Sequence, residues 1–263
     1  MFSCSERNGG KAIVIKTADE IEIMHEANQI VAETLMMLED AVAVGISTWE
    51  LDKFAEEFCL RHKAVPAFKG YRGFPGSLCV SLNEEVVHGI PSKKRKLKKG
   101  DIVSIDFGVR YKGYYGDSAI TLGVDGIDKE KEHLIDVTRQ SLEKAIEQVL
   151  PGKRIADISK AVQVYVESCG FSVVRQFVGH GIGKELHEGP EIPNFNQGES
   201  TPRLLPGMVL AIEPMVNAGS FNVKVLRDGW TVVTSDGKAS AHFEHSVAVT
   251  ENGPLVLSTR HRT

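Results

Sequence analysis

A segment that occurs twice, 107 residues apart, constrains this chain more than any other feature. Leu97, Gly100, Ile102, Val103, Ile105 and Asp106 recur as Leu204, Gly207, Val209, Leu210, Ile212 and Glu213. Each copy has a leucine, a glycine three residues on, a short apolar run, and a carboxylate six residues after the glycine. A second match has the same offset. Gly45 stands five and six residues before Glu50 and Leu51, and Gly152 stands five and six residues before Asp157 and Ile158. Two matches at one offset predict two related halves. A carboxylate closing a buried strand is costly unless it is paired or holds a metal. Asp106 and Glu213 hold equivalent places, which points to one site shared by both halves.

Helical spacing fills in the halves. Thr17 and Glu20 form a capping box, followed by Ile21, Met24, Ala27, Val31, Leu35 and Leu38 at helical periodicity. Ser47 and Glu50 form a second box, with Leu51, Phe54, Ala55 and Phe58 expected on one face. In the other half, Leu134, Val137, Leu142, Ile146 and Val149 mark one helix. Ile155, Ile158, Val162, Tyr165 and Val166 mark the next, with Gly170 as its C′ residue. Strands are expected near residues 78–82, 101–109, 118–124, 172–178, 208–213, 230–234 and 244–250. The fold class is α+β: two helix-helix-strand-strand halves on antiparallel sheet. Because they share one site, residues 13–263 read as a single domain behind a flexible leader over residues 1–12.

Composition excludes some classes. A net charge of −4 over 263 residues gives no general bias toward nucleic acid or membrane. No apolar run approaches the length of a membrane span, and the first sixteen residues, with Glu6, Arg7, Lys11 and Lys16, do not read as a signal peptide. Cys4, Cys59, Cys79 and Cys169 form no CxxC pair and read as reduced thiols of a cytoplasmic protein. There is no HExxH helix and no nucleophile elbow. The run Gly179-His180-Gly181-Ile182-Gly183 lacks the spacing of a phosphate-binding loop.

What remains is a set of carboxylates at strand ends and turns. Asp106 and Asp117 flank a hairpin-like turn over residues 111–116, Glu213 closes its strand, and Glu244 enters the last long strand. His180 sits in the glycine run. Four carboxylates and one imidazole suit a two-metal site, because carboxylates can bridge two ions. An oxygen-rich shell with one nitrogen leans toward Mn, Fe(II) or Co over structural zinc.

The segments Ile105-Asp106-Phe107, Gly116-Asp117-Ser118, Gly179 to Gly183, Ile212-Glu213-Pro214-Met215 and Phe243-Glu244-His245, with His88-Gly89-Ile90-Pro91, resemble the type I methionine aminopeptidases. The resemblance runs over roughly residues 14–258. It implies the pita-bread fold, whose two pseudo-symmetric halves agree with the repeat. It implies that Asp106, Asp117, His180, Glu213 and Glu244 ligate two divalent ions (Co, Mn, Fe(II) or Zn), with Glu213 also the general base. His88 is then the histidine that contacts the scissile amide, and His187 the one that hydrogen-bonds the substrate carbonyl. Tyr71, Phe74, Cys79 and Trp230 stand where the family lines its methionine pocket. Leu186, where many relatives carry an aromatic, and Phe68, where some carry cysteine, depart from the pattern.

The implied substrate is the N-terminus of a nascent polypeptide with a small second residue. The chain is expected to be a monomer. Lys93, Lys94, Arg95, Lys96, Lys98 and Lys99 put six basic residues in seven, either a solvated loop or an anchor for ribosomal RNA. Two rivals stand beside this reading. An X-Pro aminopeptidase or prolidase would usually add an N-terminal domain, for which the half-repeat beginning near residue 17 leaves no room. A non-catalytic pita-bread binding protein would be expected to have lost metal ligands.

Overall fold

The structure, a computed structural model, describes residues 12–198 and 200–260. The leader expected over residues 1–12, Cys4 included, lies outside the described residues except for Ala12. The first half contains α1 (Ala18–Ala41), α2 (Thr48–Arg61), β1 (Val65–Pro66), β2 (Cys79–Leu82), β3 (Glu85–Val87), β4 (Ile102–Tyr111) and β5 (Tyr114–Gly123). The second contains α3 (Lys129–Ile146), α4 (Ile155–Ser168), β6 (Ser172–Val173), β7 (Gly179–Gly181), β8 (Glu188–Ile192) and β9 (Val209–Ile212). It continues through β10 (Met215–Asn217), β11 (Val223–Val225), β12 (Val232–Thr234), β13 (Ser240–His242), β14 (Glu244–Thr250) and β15 (Gly253–Val256).

One antiparallel sheet of nine strands crosses both halves in the order β1-β4-β5-β14-β9-β7-β8, with β2 also on β4 and β15 also on β14. Two three-stranded sheets, β13-β10-β6 and β11-β12-β3, complete the curled sheet of the pita-bread architecture. The helices pack against the sheets. Val31, Leu35 and Leu38 of α1, Leu51 and Ala55 of α2, and Leu134, Val137, Ile158 and Val162 of α3 and α4 meet Ile105, Phe107, Leu210 and Val247 in the main core. Phe107 is fully buried, and each such side chain contributes about 1.5–3 kcal/mol of transfer energy.

The halves repeat in atomic detail. Helices α2 and α4 are each 14 residues long and start 107 residues apart. The Glu50 and Asp157 carboxylates accept from the N–H groups of their N-caps, Ser47 and Arg154, at 2.8 Å in both cases. Gly45 N–H donates to the Leu97 carbonyl (2.8 Å), and Gly152 N–H to the Leu204 carbonyl (3.0 Å). Gly100 and Gly207, which set up the two carboxylate strands, have φ of 84° and 89°, a conformation costly for any other residue.

Three local expectations are refined. The turn between β4 and β5 is a two-residue hairpin at Lys112-Gly113, with φ of 47° and 87°, so Asp106 and Asp117 both lie within strands. The buried face of α2 is Leu51, Ala55 and Cys59. Phe54 is 40 % exposed, and Phe58 instead stacks on His62. The run Gly179 to Gly181 is strand β7, and its glycines serve close packing. A Cβ on Gly179 would collide with the Ala211 carbonyl, and one on Gly181 with the Gly189 carbonyl.

Candidate metal centre and substrate cavity

Strand register builds the acidic end of the site. Asp106 of β4 pairs with Cys79 of β2 on one side and Ala119 of β5 on the other. Ala119 in turn pairs with Glu244 of β14. Directly paired residues share a face of a sheet, so Cys79, Asp106 and Glu244 point the same way. Asp117, two residues before Ala119, points there too. Glu213 follows Ile212, whose partner is His245, and so comes to stand beside Glu244. His180 reaches the same place from β7, next to β9.

The donor set fits a divalent cation. Asp117, His180 and Glu244 are buried and each places one ligand atom within 4.8 Å of the others'. Asp106 Oδ1, Asp117 Oδ1 and Glu244 Oε1 are buried without any hydrogen-bond partner, a cost that a cation would remove. His180 Nδ1 lies 2.9 Å from the Gly181 carbonyl and donates to it, which fixes the tautomer with the Nε2 lone pair directed at the cluster. Glu213 Oε1 lies 3.5 Å from that Nε2. Without a cation the acids resist ionisation. Burial raises Asp106 to about 7, and burial, then repulsion from neighbouring carboxylates, raises Asp117, Glu213 and Glu244 well above the usual range.

The cluster lines a cavity of about 150 Å³. The other expected residues all line it: His88, His187, Tyr71, Phe74, Cys79 and Trp230. The Phe74 and Trp230 rings meet edge to face at 5.1 Å. His88, at φ 60°, stands edge-on to Trp230 and Phe177, and burial lowers it to about 4, so it is neutral at neutral pH. Burial also holds the Cys79 thiol protonated. Leu186 and Phe68, the two departures from the family pattern, are both cavity walls. Tyr71 does more than wall the pocket, since its hydroxyl lies 2.8 Å from His187 Nδ1.

Sequence reasoning missed Arg72, His242, Lys16 and Glu188. Arg72 lines the cavity mouth beside Tyr71. His242 Nε2 is buried 3.7 Å from Glu213 Oε2, and burial lowers that imidazole to about 3. A signal existed: Ser240, His242 and Glu244 alternate with Ala241 and Phe243, the period of a strand whose polar face looks into a site. Lys16 and Glu188 form a buried ion pair 172 residues apart in sequence, which no local pattern announces.

Comparison with known proteins agrees with this geometry. The chain belongs to metallopeptidase family M24, which it matches over residues 22–251. Within that family its relatives are methionine aminopeptidases. It is 56 % identical over 246 residues to methionine aminopeptidase 1 of Bacillus subtilis, covering 94 % of this chain and 99 % of the relative. Its fold is similar to the crystal structure of methionine aminopeptidase from Thermotoga maritima, with a TM-score of 0.93 and 47 % identity over 95 % of this chain and all of that one. It also superposes on a prolidase from Pyrococcus furiosus, at a TM-score of 0.78 and 24 % identity, covering 95 % of this chain and 66 % of that one; this likeness is one of fold alone. The chain is thus a metallo-aminopeptidase, and a divalent metal is part of its chemistry.

Proposed function

We propose that this enzyme removes the N-terminal methionine from peptides and nascent proteins whose second residue is small. The observation that carries the reading is one cavity lined by two unlike sets of side chains. Four carboxylates and His180 form one set, and Phe74, Trp230 and Cys79 the other. An unbranched thioether suits aromatic and sulfur walls, while the free α-amine suits the acidic side chains, which makes the enzyme an exopeptidase. Asp106, Asp117, His180, Glu213 and Glu244 would hold two divalent ions, drawn from Co, Mn, Fe(II) and Zn. Such ions polarise a carbonyl and lower the pKa of water. Glu213 accepts the proton of the attacking water. His187 donates to the carbonyl oxygen as it gains charge. His88, neutral by burial, contacts the scissile amide.

Residues 13–263 act as one catalytic unit on this reading, since the carboxylates come from both halves. We place the enzyme in the cytoplasm as a monomer acting near ribosomes. Among the described residues no helix is long and apolar enough to cross a membrane. In the basic run, Arg95 is engaged by Glu85, while Lys94, Lys96, Lys98 and Lys99 are exposed and Lys93 lies over Trp49. Exposed lysines of this kind suit RNA phosphates, and alanine at Lys94, Lys96 and Lys98 should flatten the salt dependence of ribosome binding without slowing peptide turnover. Hydrolysis of Met-Ala-Ser against Xaa-Pro peptides across several divalent metals tests the central reading. Turnover of Xaa-Pro but not Met peptides would overturn it in favour of a prolidase. Bound metal without turnover of either would favour a binding protein.

A further inference from the structure

The polar atom of Tyr71 faces His187. Its hydroxyl lies 2.8 Å from His187 Nδ1, and the two rings stack with centroids 5.3 Å apart at 29°. The His187 ring also packs against His180, with centroids 4.3 Å apart. The imidazole is therefore in contact with both Tyr71 and His180. Two neutral tautomers are open to such a ring, and the hydrogen bond made at one nitrogen decides which nitrogen keeps the proton. A phenol is a stronger acid than a neutral imidazole N–H, and an imidazole nitrogen is a stronger base than a phenol oxygen. The bond therefore runs from the Tyr71 O–H to Nδ1.

We propose that Tyr71 is a positioning residue that fixes His187 as the Nε2–H tautomer, so that Nε2 presents a donor to the substrate carbonyl. The proton stays on the tyrosine, and only its direction matters. Burial serves this arrangement, because it keeps the phenol protonated and able to donate. The turn that carries Tyr71 is itself constrained: Tyr71 N–H donates to the Phe68 carbonyl (2.9 Å), and Arg72 follows at φ 48°. Substrate choice and tautomer control thus come from one side chain, its ring facing the cavity and its hydroxyl facing the histidine. The inference rests on the reading of His187 as the carbonyl donor.

The test is ¹⁵N NMR of histidine-labelled, zinc-loaded enzyme, with His187 assigned by its loss in His187→Gln. The expected spectrum shows a protonated Nε2 and an unprotonated, hydrogen-bonded Nδ1. In Tyr71→Phe the Nδ1 resonance should lose its hydrogen-bond shift and a mixture of tautomers should appear. A proton on Nδ1 in the unmodified enzyme, or an identical spectrum in Tyr71→Phe, overturns the proposal. Kinetically, Tyr71→Phe should lower kcat for Met-Ala-Ser about three- to tenfold, the worth of one hydrogen bond, with KM little changed. In a His187→Gln background the same change should have no further effect. A raised KM with unchanged kcat would return Tyr71 to a plain pocket wall. Full activity of His187→Gln would instead sink the assignment of His187 as donor, whatever the tautomer.

Discussion

Replacing Lys16 by methionine should destabilise the enzyme far more than a substitution before the first helix ordinarily does. Lys16 Nζ lies 2.6 Å from Glu188 Oε2, and the two side chains are only 2 % and 7 % exposed. Nζ also donates to the Val14 carbonyl (3.0 Å), and Glu188 Oε1 accepts from Glu185 N–H (3.2 Å). Gly183 closes over the pair so tightly that a Cβ there would sit 2.6 Å from both the Glu188 carboxylate and Lys16 Cε. Methionine keeps most of the volume and strands the carboxylate, and breaking a buried pair in this way costs about 3–5 kcal/mol. At roughly 2–4 °C per kcal/mol for a domain of this size, Tm should fall on the order of 6–20 °C. Glu188 directly follows His187, so turnover of Met-Ala-Ser should fall as well. The double variant Lys16→Met/Glu188→Gln removes both charges and should recover most of the lost stability. Scanning calorimetry of the three proteins, each loaded with the same metal, decides the matter. A single variant melting within about 2 °C of the parent would refute the desolvation argument. A double variant no better than the single would show that shape, not charge, sets the cost.

Three further outcomes follow from the site. The metal-free protein should lose stability as pH rises: a carboxylate whose folded value is raised above its unfolded one favours folding fully below about pH 4, and that contribution is lost as pH passes the folded value, about 7 for Asp106. The neutral histidines act oppositely only below about pH 6.5, so a metal-free Tm that did not fall above that point, or a fall that saturating divalent metal did not abolish, would contradict the clustered-carboxylate geometry. Glu213→Gln should keep a near-parental melting curve and at least one bound metal by elemental analysis, while kcat falls about 10²–10⁴-fold; a loss under tenfold in a loaded sample would move the base elsewhere. Phe74→Ala, which removes the 3 % exposed ring stacked edge-on against Trp230, should lower kcat/KM for Met peptides by about 1–3 kcal/mol, and an unchanged value would remove Phe74 from the pocket.

Much of the fold was legible because its signals are local. The capping boxes at Thr17 and Ser47 mark the starts of α1 and α2 in the structure, and Gly170, at φ 85°, ends the helix before it as expected. Strand lengths were less legible. The hairpin of β4 and β5 runs to a two-residue turn that a window of apolar residues could not locate, because Arg110, Tyr111, Tyr114 and Tyr115 lie in strands without being a buried run. The face of α2 was misplaced for a related reason. Periodicity admits either Phe54 with Phe58 or Ala55 with Cys59 beside Leu51, and tertiary packing chose the smaller pair.

The site was legible only as far as the duplication is free of insertions. Asp106 and Glu213 precede any divergence, so the 107-residue offset exposes them as a pair. Asp117 and Glu244 are the next pair in space, each on the strand neighbouring its partner's: β5 beside β4, and β14 beside β9. Their kinship is hidden in sequence because Asp106 to Asp117 spans 11 residues and Glu213 to Glu244 spans 31. The extra length is β10 to β13. That insertion carries Trp230 into the cavity and His242 against Glu213, and the first half contributes Cys79 and His88 from β2 and the turn after β3. By register His180, opposite Ala211, matches Ser81, opposite Ser104, so the imidazole has no twin. The duplication thus accounts for two pairs of carboxylates able to cradle cations symmetrically. The aromatic wall at Trp230 comes from a segment the halves do not share, and a direct consequence is that selectivity should respond to changes at Trp230 while metal affinity should not.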